Sequence, residues 1–121
     1  MLIRNIILIP MLAIMLAGTA WAEAKQDFNL TNRTGYVIDK VFVSPTHQES
    51  WESDVLGRDT LSDGETVAIH FSRSNKSCNW DLMVVYDDGE KAIWEGIDLC
   101  TVSSITIRWN KSTGVTSAAF D

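Results

Sequence analysis

The sequence predicts an all-β domain, a small antiparallel β-sandwich of about seven strands with one short helix or helical turn and one disulfide. Three observations predict it. Short segments of alternating apolar and polar residues recur along residues 28–120, separated by Gly, Asn, Asp and Ser, the pattern of a small all-β domain. A hairpin signal at residues 80–95 is flanked by the two cysteines of the chain, Cys78 and Cys100. The globular part is short enough for one modest core and too short for two.

Residues 1–22 carry the marks of an export signal. Arg4 supplies the positive n-region, residues 6–17 are an almost unbroken apolar run, and Ala20-Trp21-Ala22 is a small-x-small cleavage site. That run of 12 residues falls short of the roughly 20 a membrane anchor needs. The expected division is therefore 1–22 signal peptide and 23–121 single domain, 99 of the 121 residues, with no membrane span after cleavage.

The strands follow in order. Phe28 and Leu30 alternate with Asn29 and Thr31, and Asn32-Arg33-Thr34-Gly35 supplies turn chemistry before a second strand over residues 36–43. This second strand mixes its faces, with Val37, Val41 and Val43 on one and Tyr36, Ile38 and Phe42 on the other, which predicts cover on both. Ser44-Pro45 ends it, because proline has no donor for the ladder. Residues 46–56 are polar apart from Trp51, Val55 and Leu56, whose i, i+4, i+5 spacing suits one or two helical turns stopped by Gly57. The third strand sets Val67, Ile69 and Phe71 against Thr66, Ala68 and His70.

Residues 80–86 and 91–95 flank Asp87-Asp88-Gly89-Glu90, a hairpin turn. Closing it with Asp87 opposite Lys91 places Tyr86 opposite Ala92, Val84 opposite Trp94, Leu82 opposite Gly96, and Cys78 opposite Cys100. An exported chain meets an oxidising compartment, so the cysteines are expected to bridge the open end of this hairpin; a bulge at Gly96 would shift the register by one and spare the bridge. The last strands are residues 102–109, with Ile105, Ile107 and Trp109 on one face, and 115–120 after the turn 110–114. An up-and-down or jelly-roll arrangement suits the pattern equally.

Charge and motifs exclude more than they assign. The chain carries 10 Lys+Arg against 16 Asp+Glu; without Arg4 the domain has nine against 16, a net −7 that would repel phosphate backbones and excludes nucleic acid as a partner. His47 and His70 are scattered and lack the close ligand pairs of a zinc site. Asp81, Asp87, Asp88 and Asp98 cluster around the hairpin and are candidate calcium ligands, although Asp87-Asp88-Gly89 is also what a tight turn demands and no EF-hand spacing is present. Glu49 with Glu52, or Asp54 with Asp59, could be drawn as a glycosidase pair, but so small a sandwich leaves little chain for a sugar-sized cleft, and no nucleophile-elbow motif occurs.

Of the five tryptophans, Trp21 belongs to the signal, while Trp80, Trp94 and Trp109 fall in strand patterns and are expected in the core. Trp51 lies in a polar loop between Glu49 and Glu52. With Pro45 at the start of the loop these residues form a candidate partner-binding surface, the competing reading being a lid over the sandwich. Four Asn-x-Ser/Thr sequons, at Asn29, Asn32, Asn75 and Asn110, are glycan acceptors in a eukaryotic secretory route and turn formers in a bacterial periplasm. The near adjacency of Asn29 and Asn32, one of them within a strand, favours the second.

The order Asn32-Arg33-Thr34-Gly35, Val41-Phe42-Val43-Ser44-Pro45, Trp51, Asp54-Val55-Leu56-Gly57, Cys78-Asn79-Trp80-Asp81, Tyr86-Asp87-Asp88-Gly89 and Ile97-Asp98-Leu99-Cys100 resembles a family of small exported bacterial proteins of uncharacterised function. The resemblance covers nearly all of the domain and implies periplasmic or secreted residence, with no catalytic residues to carry over. The label argininosuccinate lyase, which some members of such families look to bear, does not suit this chain: that lyase is a large helical tetramer, and none of its active-site segments can be located here. The sequence thus leads to an exported, non-catalytic domain that binds a protein or envelope ligand without a cofactor. A calcium-stabilised envelope domain is the alternative and a small hydrolase a third.

Overall fold

The computed structural model describes residues 23–121, so the expected signal peptide lies outside the described residues. Seven strands form two sheets: β1 (Phe28–Arg33), β2 (Ile38–Pro45), β3 (Thr66–Ile69), β4 (Asn79–Tyr86), β5 (Lys91–Asp98), β6 (Ser104–Asn110) and β7 (Val115–Phe120). One sheet has the order β3-β1-β6-β7 and the other β2-β4-β5. Alternation turns one row of each strand inward. Phe28, Leu30, Ile69, Ile105 and Ile107 from the first sheet pack with Ile38, Val41, Trp80, Leu82, Val84 and Ile97 from the second in a single core. Each such side chain contributes about 1.5–3 kcal/mol by leaving water. Phe71 fastens one end of this core, its ring 4.7 Å from that of Trp80 and 6.2 Å from that of Phe28.

Three details depart from the sequence expectation. First, β1 lies parallel to β6, with Leu30 opposite Ile105 and Asn32 opposite Ile107. Parallel neighbours need a long crossover, and here β3 together with the whole second sheet supplies it.

Second, residues 46–57 form turns and no helix. The backbone groups a helix would use are taken elsewhere: Leu56 N–H and Val41 N–H both donate to Asp54 Oδ1 (3.0 and 2.9 Å), and Val55 N–H donates to the Val41 carbonyl (2.8 Å). The segment therefore runs along the edge of β2.

Third, the β4–β5 hairpin turns one residue earlier than expected. Tyr86 N–H donates to the Glu90 carbonyl and Gly89 N–H to the Tyr86 carbonyl (2.8 and 2.9 Å), which leaves a three-residue loop with Gly89 at φ 89°. Val84 then faces Ala92 and Leu82 faces Trp94, a shift of two that keeps every side chain on its expected face. Between Trp80 and Leu82 the register slips by one, with Gly96 at φ 69°, so a bulge does occur there and the disulfide survives it. A second irregularity in β2, between Ile38 and Lys40, lets Ile38 and Val41 both point inward; this explains the mixed face of that strand.

Candidate functional site

The residues singled out by sequence go to separate places. Cys78 and Cys100 are bonded, with Cα atoms 5.2 Å apart, and Leu99 N–H donates to the Cys78 carbonyl at 2.9 Å. Asp81 and Asp98 stand at this same open end of the hairpin, each occupied with backbone. Asp81 Oδ1 accepts the Gly96 N–H and the Thr46 hydroxyl (both 2.9 Å), and Asp98 Oδ1 accepts the Cys100 N–H (3.1 Å). Asp87 and Asp88 sit at the turn, where Asp88 Oδ1 accepts the Glu90 N–H at 2.9 Å. The length of β4, roughly 3.3 Å per residue, separates the two pairs, so the four carboxylates do not converge on one ion. Asp98 does lie close to both cysteine sulfurs, but these are joined to each other and offer no thiolate.

Glu49 and Glu52 are exposed, while Pro45 and Trp51 are half-buried. Their loop is held against β2 near Ser44, whose hydroxyl donates to the Ser50 carbonyl at 3.3 Å. His70 is exposed beside Asp27, with Nδ1 3.4 Å from Oδ2.

A grouping that sequence reasoning missed lies at the opposite end of the sandwich, where the interior opens between the β4–β5 and β6–β7 turns. Tyr36, Tyr86, Trp109 and Thr116 line a cleft of about 340 Å³ there, rimmed by Asp87, Asp88, Glu90 and Lys91. Trp109 was expected in the core; it continues the inward row of Ile105 and Ile107 but ends it at the mouth, half-buried. Tyr36 is 48% exposed, and its ring stands at 83° to that of Trp109, centroids 6.4 Å apart. Gly114, at φ 71°, brings the β6–β7 turn against the indole, since a Cβ there would lie 3.7 Å from its outer edge.

The sequence builds this mouth locally. Asn32 is fully buried yet bonded on every side: its Nδ2 donates to the carbonyls of Tyr36 (2.7 Å) and Leu61 (2.9 Å), and its Oδ1 accepts the N–H (3.0 Å) and hydroxyl (2.7 Å) of Thr34. This fixes the backbone of Tyr36 at the rim. Tyr86 differs. Its Oη is shielded from solvent, with the Thr116 and Thr34 hydroxyls as its polar neighbours. Burial pushes its phenol above the usual value and the charge of Asp88 adds to this, with the nearby Thr116 and Thr34 hydroxyls opposing. A neutral ring is thus what Tyr86 contributes to the cleft. The signal that could have found the site is positional: Tyr36, Tyr86 and Trp109 each adjoin a glycine-containing turn, at residues 32–35, 87–89 and 110–114.

No family model matches the chain, and no curated protein matches it. Among solved structures, the chain is similar to an NMR structure of a protein from Eubacterium rectale, with a TM-score of 0.53 and 14% identity, over 78% of this chain and 85% of that one. At that identity the likeness shows a shared fold alone.

Proposed function

We propose that this chain is an exported domain, periplasmic or secreted, that acts by binding and not by catalysis, and that its ligand enters the aromatic cleft. The observation that supports the reading is an open hollow walled by the exposed Tyr36 and the half-buried Trp109 and Tyr86, which brings three aromatic rings together at one mouth of the sandwich. The disulfide supports residence in an oxidising compartment, and no helix among the described residues is long and apolar enough to cross a membrane. A non-catalytic role fits the carboxylates, which cap turns and bulges. The half-buried Trp51, on a loop tied to β2, offers a partner less ring surface than Tyr36 does.

The reading is tested by titrating the labelled domain with a panel of small sugars, amino acids, organic cations and short peptides while following amide and indole NMR signals. Perturbations gathered on Tyr36, Tyr86, Trp109 and Thr116 are expected. Perturbations centred on Trp51 would return the site to the residue 45–58 loop, and turnover of any probe would end the non-catalytic reading.

A further inference from the structure

We infer that the cleft is a cage for a small free organic ammonium cation, alkylated at nitrogen and of choline size. The inference rests on the cleft being the binding site and adds the class of ligand. Ring geometry comes first. Two rings at 83° cannot both lie flat on one sugar ring, whereas perpendicular aromatic walls are how a positive charge is boxed by the negative faces of π systems. Tyr86 supplies a third aromatic surface, presented as ring because its Oη is shielded.

Charge complementarity comes second. Asp87, Asp88 and Glu90 on the rim oppose a single cation, Lys91, which leaves the mouth negative within a domain that is itself strongly acidic. That field draws cations toward the hollow and holds anions away.

Size and hydrogen bonding come third. A hollow of about 340 Å³ takes one head-group-sized ion and not a folded partner. An alkylated ammonium needs no hydrogen-bond acceptor: the rings meet its methyl groups and the carboxylates of Asp87, Asp88 and Glu90 complement its charge from the rim.

The test is NMR titration of the oxidised domain with choline and, in parallel, with 3,3-dimethyl-1-butanol, its uncharged isostere. Weak binding, roughly millimolar, is expected for choline with shifts at Tyr36 and Trp109, and at least fivefold weaker binding for the isostere. Tyr36→Phe should preserve choline affinity, Tyr36→Leu should weaken it by roughly fivefold, and added salt should weaken it further. Tyr36 is exposed, so neither variant threatens the fold. Equal binding of choline and its isostere at the cleft would overturn the cation and leave the binding site standing. Binding of another probe at the cleft with no response to choline would do the same. Silence of the cleft toward the whole panel would remove both this inference and the site it rests on.

Discussion

The two ends of the sandwich hold themselves together by different means. At the disulfide end buried side chains tie the loops to one another. Cys78 is bonded to Cys100, the Gln26 side-chain amide donates to the carbonyls of Asn75 (2.8 Å) and Ser77 (2.7 Å), and the Trp80 indole N–H donates to the Ser77 carbonyl at 2.9 Å. Asp27 adds another tie, taking the Phe71 N–H at 2.8 Å and the Ala24 N–H at 3.0 Å. At the aromatic end the backbone is equally well satisfied through Asn32, but Tyr36 is left open and Trp109 only half-covered. One end spends its side chains on closure. The other fixes its main chain and leaves ring surface over, which is the arrangement a preorganised binding site requires.

Removing the bridge with Cys78→Ser and Cys100→Ser is the hardest blow to this contrast. A crosslink spanning 22 residues is worth roughly 3 kcal/mol in the chain-entropy account. The melting temperature should fall by roughly 10–20 °C, while NMR shifts at Tyr36 and Trp109 stay near wild type in whatever remains folded. A collapse of those shifts at low temperature would show that the two ends are coupled.

Asn32→Ala strikes the other end. It removes one of the two donors to each of the Tyr36 and Leu61 carbonyls, which keep the Thr34 hydroxyl and the Ile38 N–H, takes the acceptor from the Thr34 N–H, and should cost about 2–3 kcal/mol by chemical denaturation. Cleft affinity should drop with it, because Tyr36 loses its anchor. Full affinity in a destabilised variant would mean the rim does not depend on this network.

Asp27→Ala is the mildest of the three, about 1–2 kcal/mol at neutral pH, read from urea midpoints. Burial alone would raise the Asp27 carboxyl, but the N–H groups of Phe71 and Ala24, with His70 beside it, hold it below the ordinary value of 3.8. A depressed carboxyl stabilises the fold above its unfolded value and loses that contribution as pH falls through the folded one. The gap between wild type and variant should therefore be full at neutral pH and shrink below about pH 4; a gap independent of pH would assign the effect to packing. None of this should reach the cleft.

Much of the fold was legible because it rests on period-two alternation. The rows Val67-Ile69-Phe71, Leu82-Val84 and Ile105-Ile107 point where their spacing says, and a hairpin register wrong by two still puts each side chain on its proper face. What was not legible depends on partners distant in sequence. Nothing local says that residues 28–33 lie beside 104–110 rather than beside the next strand. The helical spacing of Trp51, Val55 and Leu56 lost to a carboxylate that reaches across to Val41. Trp109 looked like core because it continues a core row, and only the arrangement of strands shows that the row runs out into the open. Asn32 carries a sequon, yet its buried and fully bonded amide leaves no place for a glycan on the folded domain, which agrees with reading it as a turn former.

The parallel pairing of β1 and β6 also orders events in time. β1 sits inside its sheet between β3 and β6, and Asn29 meets Ser104 only after about 75 further residues have been made. A chain emerging from its N-terminus therefore produces first a strand that stays open along one side until almost the last. Contacts so distant in sequence close slowly. Until then one edge of the earliest strand lacks its partner, and a truncated chain ending before residue 104 would keep that edge bare.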